Sequence, residues 1–129
     1  MIKCIIVDDE PRNNEILQSL LETYCSPVAV AGIASFADEA AKLIKSKEPD
    51  LVFLDIEMPG RNAFDLLQDL RPINFEIVFV TAFDKYAAKA FRLGAIDYLL
   101  KPVSIDELKD TVEKVKSRIS GKRNNERVE

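Results

Sequence analysis

Short apolar segments alternate with stretches of helical periodicity five times along this chain of 129 residues, and this alternation restricts the fold more than any other feature. The apolar segments lie near residues 3–8, 28–33, 51–55, 76–81 and 96–100. Each has the length of a β-strand, and strands that alternate with helices are typical of an α/β fold with a parallel sheet. Continuous apolar runs, such as residues 51–54, indicate that helices cover both faces of that sheet.

Local signals mark the ends of the helical segments. Proline suits a first helical turn, glycine can end a helix in the left-handed conformation, and a serine followed by glutamate forms a capping box. The helices are therefore expected to begin at Pro11, after Ser35, near Asn62, near Asp84 (ending at Gly94) and at Ser104. The last one is predicted to end near Ile119 and to bury Ile105, Leu108, Val112, Val115 and Ile119.

These elements predict one domain over residues 1–119. Residues 120–129 are almost free of apolar side chains, so we expect a solvated tail or the start of a linker there. The hydrophobic fraction of 47% is enough for a compact core.

Composition excludes several classes of function. The net charge of −4 argues against nucleic-acid binding by this segment, because phosphate backbones require a basic face. No apolar run approaches the roughly 18–20 residues that span a membrane.

The chain enters a strand directly rather than through a secretory signal, and Cys4 and Cys25 are expected to be buried thiols, so a cytoplasmic location is predicted. The absence of histidine removes the usual base of Ser-His catalysis and the commonest zinc ligand.

Polar residues follow four of the predicted strands. Asp8-Asp9-Glu10, Asp55, Thr81 and Lys101 each stand directly after an apolar run or close it. Ligands of parallel sheets bind at the carboxyl ends of strands, so these side chains are expected to form one site. Taken singly, acidic residues after strands also serve as ordinary helix-start residues that the helix dipole favours.

Asp8, Asp9 and Asp55 would converge if the first and third strands are neighbours, about 4.8 Å apart. Carboxylates at such distances repel one another, and a proton or a cation must relieve the repulsion. Mg²⁺ is the natural cation, because it prefers a few carboxylates and keeps positions open for phosphate oxygens. The turn Met58-Pro59-Gly60 would direct the Glu57 backbone carbonyl into the site as a further metal ligand.

Asp55 is the candidate nucleophile, since a carboxylate can form an aspartyl-phosphate. Thr81 and Lys101 would supply hydrogen-bond donors. Lys101 precedes a proline, and a cis Lys101–Pro102 bond would direct its ammonium towards Asp55 and later towards a phosphoryl oxygen.

These residues, in this order, resemble the receiver domain of two-component response regulators. The likeness covers about residues 2–119 and rests on Asp8-Asp9-Glu10, on residues 54–60, on Thr81-Ala82 and on residues 97–102. Residues 81–91 are similar to the subgroup that LytTR-type DNA-binding domains follow. The resemblance implies a flavodoxin-like doubly wound (βα)5 fold, with five parallel strands in the order 2-1-3-4-5.

The resemblance also implies a role for each site residue. Asp55 becomes the phosphoacceptor, Asp9 a direct Mg²⁺ ligand and Asp8 an indirect one, while Thr81 and Lys101 bind phosphoryl oxygens. Tyr98 becomes the switch aromatic, which swings inward when Thr81 moves towards the phosphate. The alternative for Tyr98 is an ordinary core or half-exposed strand tyrosine.

The implied function is a signalling switch that is phosphorylated by a sensor histidine kinase and is not a conventional enzyme. Its output, expected to be transcriptional through a further DNA-binding domain, would pass through the face of helix 4, strand 5 and helix 5 as a phosphorylation-dependent homodimer. That face is predicted to include Lys85, Lys89, Arg92, Asp97, Asp106, Lys109 and Asp110.

Two other classes remain as alternatives. A haloacid-dehalogenase-like phosphatase also uses a strand-end aspartate with Mg²⁺, although its nucleophile normally ends the first strand. The other is an interaction module that works without phosphorylation. A nucleotide-binding loop is disfavoured, because Gly32, Gly60, Gly94 and Gly121 are too scattered to cradle a phosphate.

Overall fold

The computed structural model describes the backbone of residues 1–128 and the side chains of residues 1–122. The strands are β1 (Ile2–Val7), β2 (Val28–Ala34), β3 (Leu51–Leu54), β4 (Glu76–Thr81) and β5 (Asp97–Leu100). The helices are α1 (Pro11–Tyr24), α2 (Ala37–Lys47), α3 (Ala63–Asp69), α4 (Ala87–Arg92) and α5 (Ile105–Val128). Within residues 1–128 the strands form a parallel sheet in the order β2-β1-β3-β4-β5, as the resemblance implied. The predicted fold class is confirmed.

Register aligns the polar strand ends. Val7 pairs with Leu54 across β1 and β3, so the residues that follow them, Asp8 and Asp55, lie side by side. Thr81 pairs with Leu100 across β4 and β5, which places Lys101 beside Thr81. The four predicted strand ends therefore meet at one edge of the sheet.

Helices cover both faces of the sheet, as the continuous apolar strands predicted. Alternate residues of β1 serve different cores: Ile5 and Val7 pack with α2, α3 and α4, whereas Cys4 and Ile6 pack with α1 and α5. Phe53 and Phe79, on opposite faces, are at most 1% exposed. The polar strand ends therefore lie at the edge of a sheet that is packed against an apolar core on each face.

Several details differ from expectation. Helix α4 begins at Ala87 because residues 84–86 form a turn before it. Ile105 is 38% exposed rather than buried, since it is the first residue of α5 and lies at the corner of the domain. Helix α5 continues beyond the predicted end at Ile119 to Val128, and its extension is held by Lys122, whose Nζ lies 2.7 Å from Oε1 of the buried Glu76. The side chains of residues 123–129, in the predicted tail, lie outside the described residues.

Other local predictions agree with the structure. Gly94 has a φ of +94°, as a left-handed helix end requires. The Lys101–Pro102 bond is cis, and so is Arg71–Pro72. Cys4 and Cys25 are buried free thiols, and burial raises the pKa of Cys4 to about 12. No helix among the described residues combines the length and the apolar composition that a membrane span requires.

Candidate functional site

Three carboxylates converge where β1 and β3 end. Asp8, Asp9 and Asp55 each place a carboxylate oxygen within 4.8 Å of the other two. Asp8 is 5% exposed and Asp55 is 7% exposed, while Asp9 is partly exposed at the rim. Hydration therefore screens the repulsion among these groups only in part, and the site favours a cation.

Lys101 supplies one positive charge to this cluster. Its Nζ lies 2.6 Å from Asp8 Oδ2 and 3.0 Å from Asp55 Oδ2. Burial lowers the pKa of Lys101, but the hydrogen bonds to Asp8 and Asp55 and their negative charges outweigh that effect and raise the pKa above its ordinary value. Lys101 therefore stays an ammonium and bridges two of the three carboxylates.

The backbone fixes the remaining oxygens of the two buried carboxylates. Asp55 Oδ1 accepts a hydrogen bond of 2.7 Å from the Ile56 amide, and Asp8 Oδ1 accepts one of 2.9 Å from the Glu10 amide. Both carboxylates are thus held at two points, and their oxygens are directed before any ligand arrives.

Thr81 and Tyr98 are linked through one residue of the β4–α4 loop. The Phe83 amide donates a long hydrogen bond of 3.4 Å to Thr81 Oγ1, and the Phe83 carbonyl accepts a hydrogen bond from the Tyr98 hydroxyl. Thr81 is fully buried, whereas Tyr98 is half-buried with its ring 6.1 Å from that of Phe79. A change at the Thr81 hydroxyl therefore has a short covalent and hydrogen-bonded path to Tyr98.

The Glu57 side chain lies outside the carboxylate cluster. Its Oε1 accepts a hydrogen bond of 3.2 Å from the Tyr86 hydroxyl, directly before α4. This agrees with the expectation that any contact of Glu57 with a metal would involve its backbone carbonyl and not its carboxylate.

Two residues near the site escaped the sequence analysis. Tyr86 carries no motif by which its contact with Glu57 could have been found. Asn14 donates from Nδ2 to the Asp8 carbonyl over 2.9 Å and is 3% exposed. A signal for Asn14 did exist, because it shares a helical face with the buried Leu17 and Leu21, where a polar residue is unusual.

A cleft of about 320 Å³ opens beside the acidic cluster. Its floor includes Asp8, Asp55 and Lys101, and its walls are mostly apolar. The apolar wall residues come from α1, from β4 and from the segment after β5: Ile16, Leu17, Leu20, Val80, Pro102 and Val103. The buried acidic group is thus reachable from one side past an apolar rim.

The donor set suits a hard divalent cation. The cluster offers carboxylate oxygens, and the chain contains no histidine, so Mg²⁺ fits these ligands better than zinc does. Carboxylates on adjacent strand ends could hold the ion on one side and leave the open side to water or phosphate.

The sequence pattern of the response regulator receiver domain matches residues 4–113. The chain belongs to the response regulator receiver domain family. The resemblance drawn from the four strand-end motifs is thereby confirmed, and the molecule is a signalling module rather than a conventional enzyme.

Relatives of this receiver domain include a named regulator. The chain is 42% identical over 121 residues to the transcriptional regulatory protein BtsR of Escherichia coli (strain K12). The alignment covers 93% of this chain and 50% of BtsR. The chain spans about half the length of the curated relatives it matches.

Solved structures share the fold of this receiver domain. The REC domain of AraT, a response regulator from Geobacillus stearothermophilus, is 28% identical with a TM-score of 0.85, over 95% of this chain and 98% of that one. The response regulator TrrA from Thermotoga maritima, in complex with Mg²⁺-BeF, is 32% identical with a TM-score of 0.77, over 89% of this chain and 99% of TrrA.

Proposed function

We propose that this receiver domain is a phosphorylation-activated switch that accepts a phosphoryl group on Asp55 from a sensor histidine kinase. The observation that carries the proposal is the pairing of Asp55 with Lys101 inside a cluster of three carboxylates. Such a cluster unites a nucleophile, a cation site and a donor for phosphoryl oxygens at one strand edge.

The transfer exchanges one bond for another. An oxygen of the Asp55 carboxylate forms a bond to phosphorus, the bond between phosphorus and the donor's imidazole nitrogen breaks, and its electron pair stays on that nitrogen. Lys101 donates to an oxygen of the transferred group and balances charge that Asp55 carried at rest. Asp8 keeps Lys101 in place during this exchange, because it binds the same ammonium.

Asp8, Asp9, Asp55 and the Glu57 carbonyl would hold Mg²⁺. The ion, when bound, neutralises charge on the transferring phosphoryl group. The Mg²⁺-BeF complex of TrrA supports this assignment by analogy.

Phe83 would pass the signal from Thr81 to Tyr98. Its long bond to the Thr81 hydroxyl is easily exchanged for a stronger bond between that hydroxyl and a phosphoryl oxygen. Movement of Thr81 and Phe83 would then withdraw the carbonyl that holds the Tyr98 hydroxyl and release the ring to turn inward. Phosphorylation in this scheme shifts an equilibrium between two arrangements by its differential affinity for them.

The apolar cleft is the proposed entrance for the phosphodonor protein. Its walls on α1 and after β5 could contact a kinase helix while Asp55 remains accessible from the same side. Ile16, 51% exposed on this rim, offers apolar surface to such a partner.

The output is proposed to pass through α4, β5 and α5 as a symmetric dimer, with a following domain that regulates transcription. Each of the three elements exposes a large apolar side chain, namely Phe91, Leu100 and Ile105. Exposed charges of both signs accompany them, as a self-complementary surface requires. Asp97 does not serve this surface as predicted, because its carboxylate is bound within the domain by Thr111 and Lys114.

Beryllofluoride and acetyl phosphate test the proposal with two matched variants. Asp55→Asn should lose acetyl phosphate-dependent mass gain and beryllofluoride binding in millimolar Mg²⁺, because the amide is nearly isosteric but is not a usable nucleophile. Glu22→Gln removes an exposed acidic group on α1, outside the proposed dimer face, and should behave like the wild type. Sedimentation velocity on the same samples should report a dimer only in the beryllofluoride-bound wild type and control.

The alternatives give different results in that experiment. Steady release of phosphate with no stable aspartyl-phosphate would favour a phosphatase. Absence of any Asp55-dependent binding would favour an interaction module, and full phosphorylation of Asp55→Asn would refute the assigned site.

A further inference from the structure

Asn14 places a polar side chain in the apolar interface between α1 and the sheet. It is 3% exposed, and it lies on the same helical face as Leu17 and Leu21, which are 5% and 0% exposed. Its Nδ2 donates to the Asp8 carbonyl, but its Oδ1 has no hydrogen-bond partner among residues 1–122. A buried amide with an unpartnered oxygen costs stability, and leucine would fill a similar shape without that cost. Packing therefore does not account for asparagine here.

The bond that Asn14 does make acts on the link between two acidic residues. The Asp8 carbonyl belongs to the same planar peptide unit as the Asp9 amide. Holding this carbonyl fixes the plane of that unit, and with it the direction in which the chain leaves Asp8 and enters Asp9. Asn14 thus acts on the relative orientation of two side chains of the carboxylate cluster without touching either carboxylate.

Asp9 depends on this backbone constraint more than Asp8 does. The Asp8 carboxylate is held by the Glu10 amide and by Lys101. Among residues 1–122, the Asp9 carboxylate forms no hydrogen bond or ion pair. The orientation of the Asp9 carboxylate therefore depends on the plane of the Asp8–Asp9 peptide. The Asn14 side chain fixes this plane through its bond to the Asp8 carbonyl.

We propose that Asn14 is a positioning residue for the divalent-cation site, which orients the Asp8–Asp9 peptide so that both carboxylates face the same ion. This inference rests on the cation site of the proposed function. It adds a residue of α1 to a site otherwise built from strand ends, and it gives a reason for a buried amide that is only half satisfied.

Isothermal titration of the folded protein with Mg²⁺ tests this role. Asn14→Leu keeps the shape but removes the donor, and it should weaken Mg²⁺ binding about three- to tenfold. Gln18→Leu is the matched control, since Gln18 is a partly exposed amide one turn further along α1 whose side chain donates to Glu22, and its Mg²⁺ affinity should match the wild type. Because leucine at a buried position can impair folding, Asn14→Ala is carried in parallel.

A second measurement needs no metal. The ¹⁵N–¹H resonance of the Asp9 amide should shift in metal-free Asn14→Leu and Asn14→Ala and stay unchanged in Gln18→Leu, because only the Asn14 variants free the peptide plane. A merely structural role would alter the melting temperature and leave the Mg²⁺ affinity of the folded protein intact.

The outcomes separate this inference from the proposed function. Wild-type affinity in folded Asn14 variants, while the wild type itself binds Mg²⁺, would overturn the positioning role and leave the cation site standing. Failure of the wild type to bind Mg²⁺ would overturn the cation site. An unchanged Asp9 resonance in the Asn14 variants would overturn the positioning role independently of the metal.

Discussion

The Tyr86 hydroxyl donates a hydrogen bond of 3.2 Å to Glu57 Oε1, and it thereby ties the residue before α4 to the loop that follows Asp55. The Tyr86 ring also packs on Phe64 and Phe83, with ring centroids 5.9 Å and 6.4 Å away. The loop that follows Asp55 and the start of α4 are therefore joined by a contact separate from Thr81 and Tyr98.

Tyr86→Phe should make activation easier. The variant keeps the ring contacts and loses the bond to Glu57, so the unphosphorylated arrangement loses a neutral-to-charged hydrogen bond at a partly solvated position. We expect roughly two- to fivefold tighter apparent beryllofluoride binding. Tyr24→Phe, which removes an exposed hydroxyl at the end of α1, is the control. Equal affinities in the two variants would show that the contact does not bias the equilibrium.

Lys101→Met should destabilise the metal-free protein. Removing the ammonium leaves Asp8 and Asp55 buried without their partner, at a cost of about 2–4 kcal/mol in the free energy of unfolding. Mg²⁺ should stabilise this variant more than it stabilises the wild type, because the ion then relieves more repulsion. Urea unfolding with and without millimolar Mg²⁺ measures both effects. We also expect the variant to accept phosphate and yet fail to show the activated NMR spectrum.

The same lysine predicts a dependence on alkaline pH. Its pKa is raised in the folded protein, so its contribution to stability is complete below the unfolded value of about 10.4 and is lost as the pH rises through the folded pKa. The stability difference between the wild type and Lys101→Met should accordingly be constant at neutral pH and shrink in strongly alkaline solution. A difference that grew with pH would contradict the pairing of Lys101 with Asp8 and Asp55.

Thr111→Val should weaken the attachment of β5 to α5. The Thr111 hydroxyl donates to Asp97 Oδ2 over 2.7 Å, and Lys114 Nζ lies 3.0 Å from the same oxygen. Burial raises the pKa of Asp97, but these bonds and the Tyr98 amide lower it below its usual value. The resulting stability is present above the unfolded pKa of about 3.9 and is lost as the pH falls through the folded pKa. We expect a loss of about 1 kcal/mol at neutral pH that diminishes in acid, with exposed Ser117→Ala as the control. A loss of unfolding free energy that did not depend on pH would show that Thr111 stabilises the domain through packing and not through its bond to Asp97.

A chain shortened to residues 1–119 tests the predicted domain boundary. It should fold and bind Mg²⁺, but the buried Glu76 should lose Lys122, at 2.7 Å, and keep only the longer contact of 3.7 Å with Arg118. We expect a loss of about 1–3 kcal/mol, and Glu76→Gln should recover part of it in the short chain while destabilising the full chain. The free energies of unfolding of the four proteins form a double-mutant cycle. Additive effects would show that Glu76 does not hold the extension.

Sequence reasoning located the strand-end residues because the pattern at each of them is local. An apolar run followed by Asp8, Asp55 or Lys101 is visible without knowledge of the fold, and parallel register brings such ends together. The strand order, by contrast, came from resemblance, since nothing local in the chain distinguishes a neighbour of β1 from another strand.

The sequence could not predict contacts that depend on packing between distant segments. Glu76 lies 46 residues before Lys122, and the contact between them, which lies on the part of α5 past Ile119, leaves no signal in local helix propensity. Asp97 was predicted to be a surface charge, because its partners Thr111 and Lys114 come close to it only through the packing of α5 against β5.

The bridge formed by Lys101 also fixes the electroneutrality of the site. Three carboxylates and one ammonium leave two negative charges, so a single divalent ion brings the group to neutrality, whereas a monovalent ion leaves an excess of one sign and a trivalent ion leaves an excess of the other. Phosphorylation of Asp55 would convert one carboxylate into an acyl phosphate, which removes one negative charge and adds about 1.5 to 2. The balance would then be negative again by up to one charge, and because Lys101 is already counted, hydrogen-bond donors such as the Thr81 hydroxyl would have to solvate the excess. In these terms, the proposed conformational response would bring hydrogen-bond donors to a negative charge that the site itself does not neutralise.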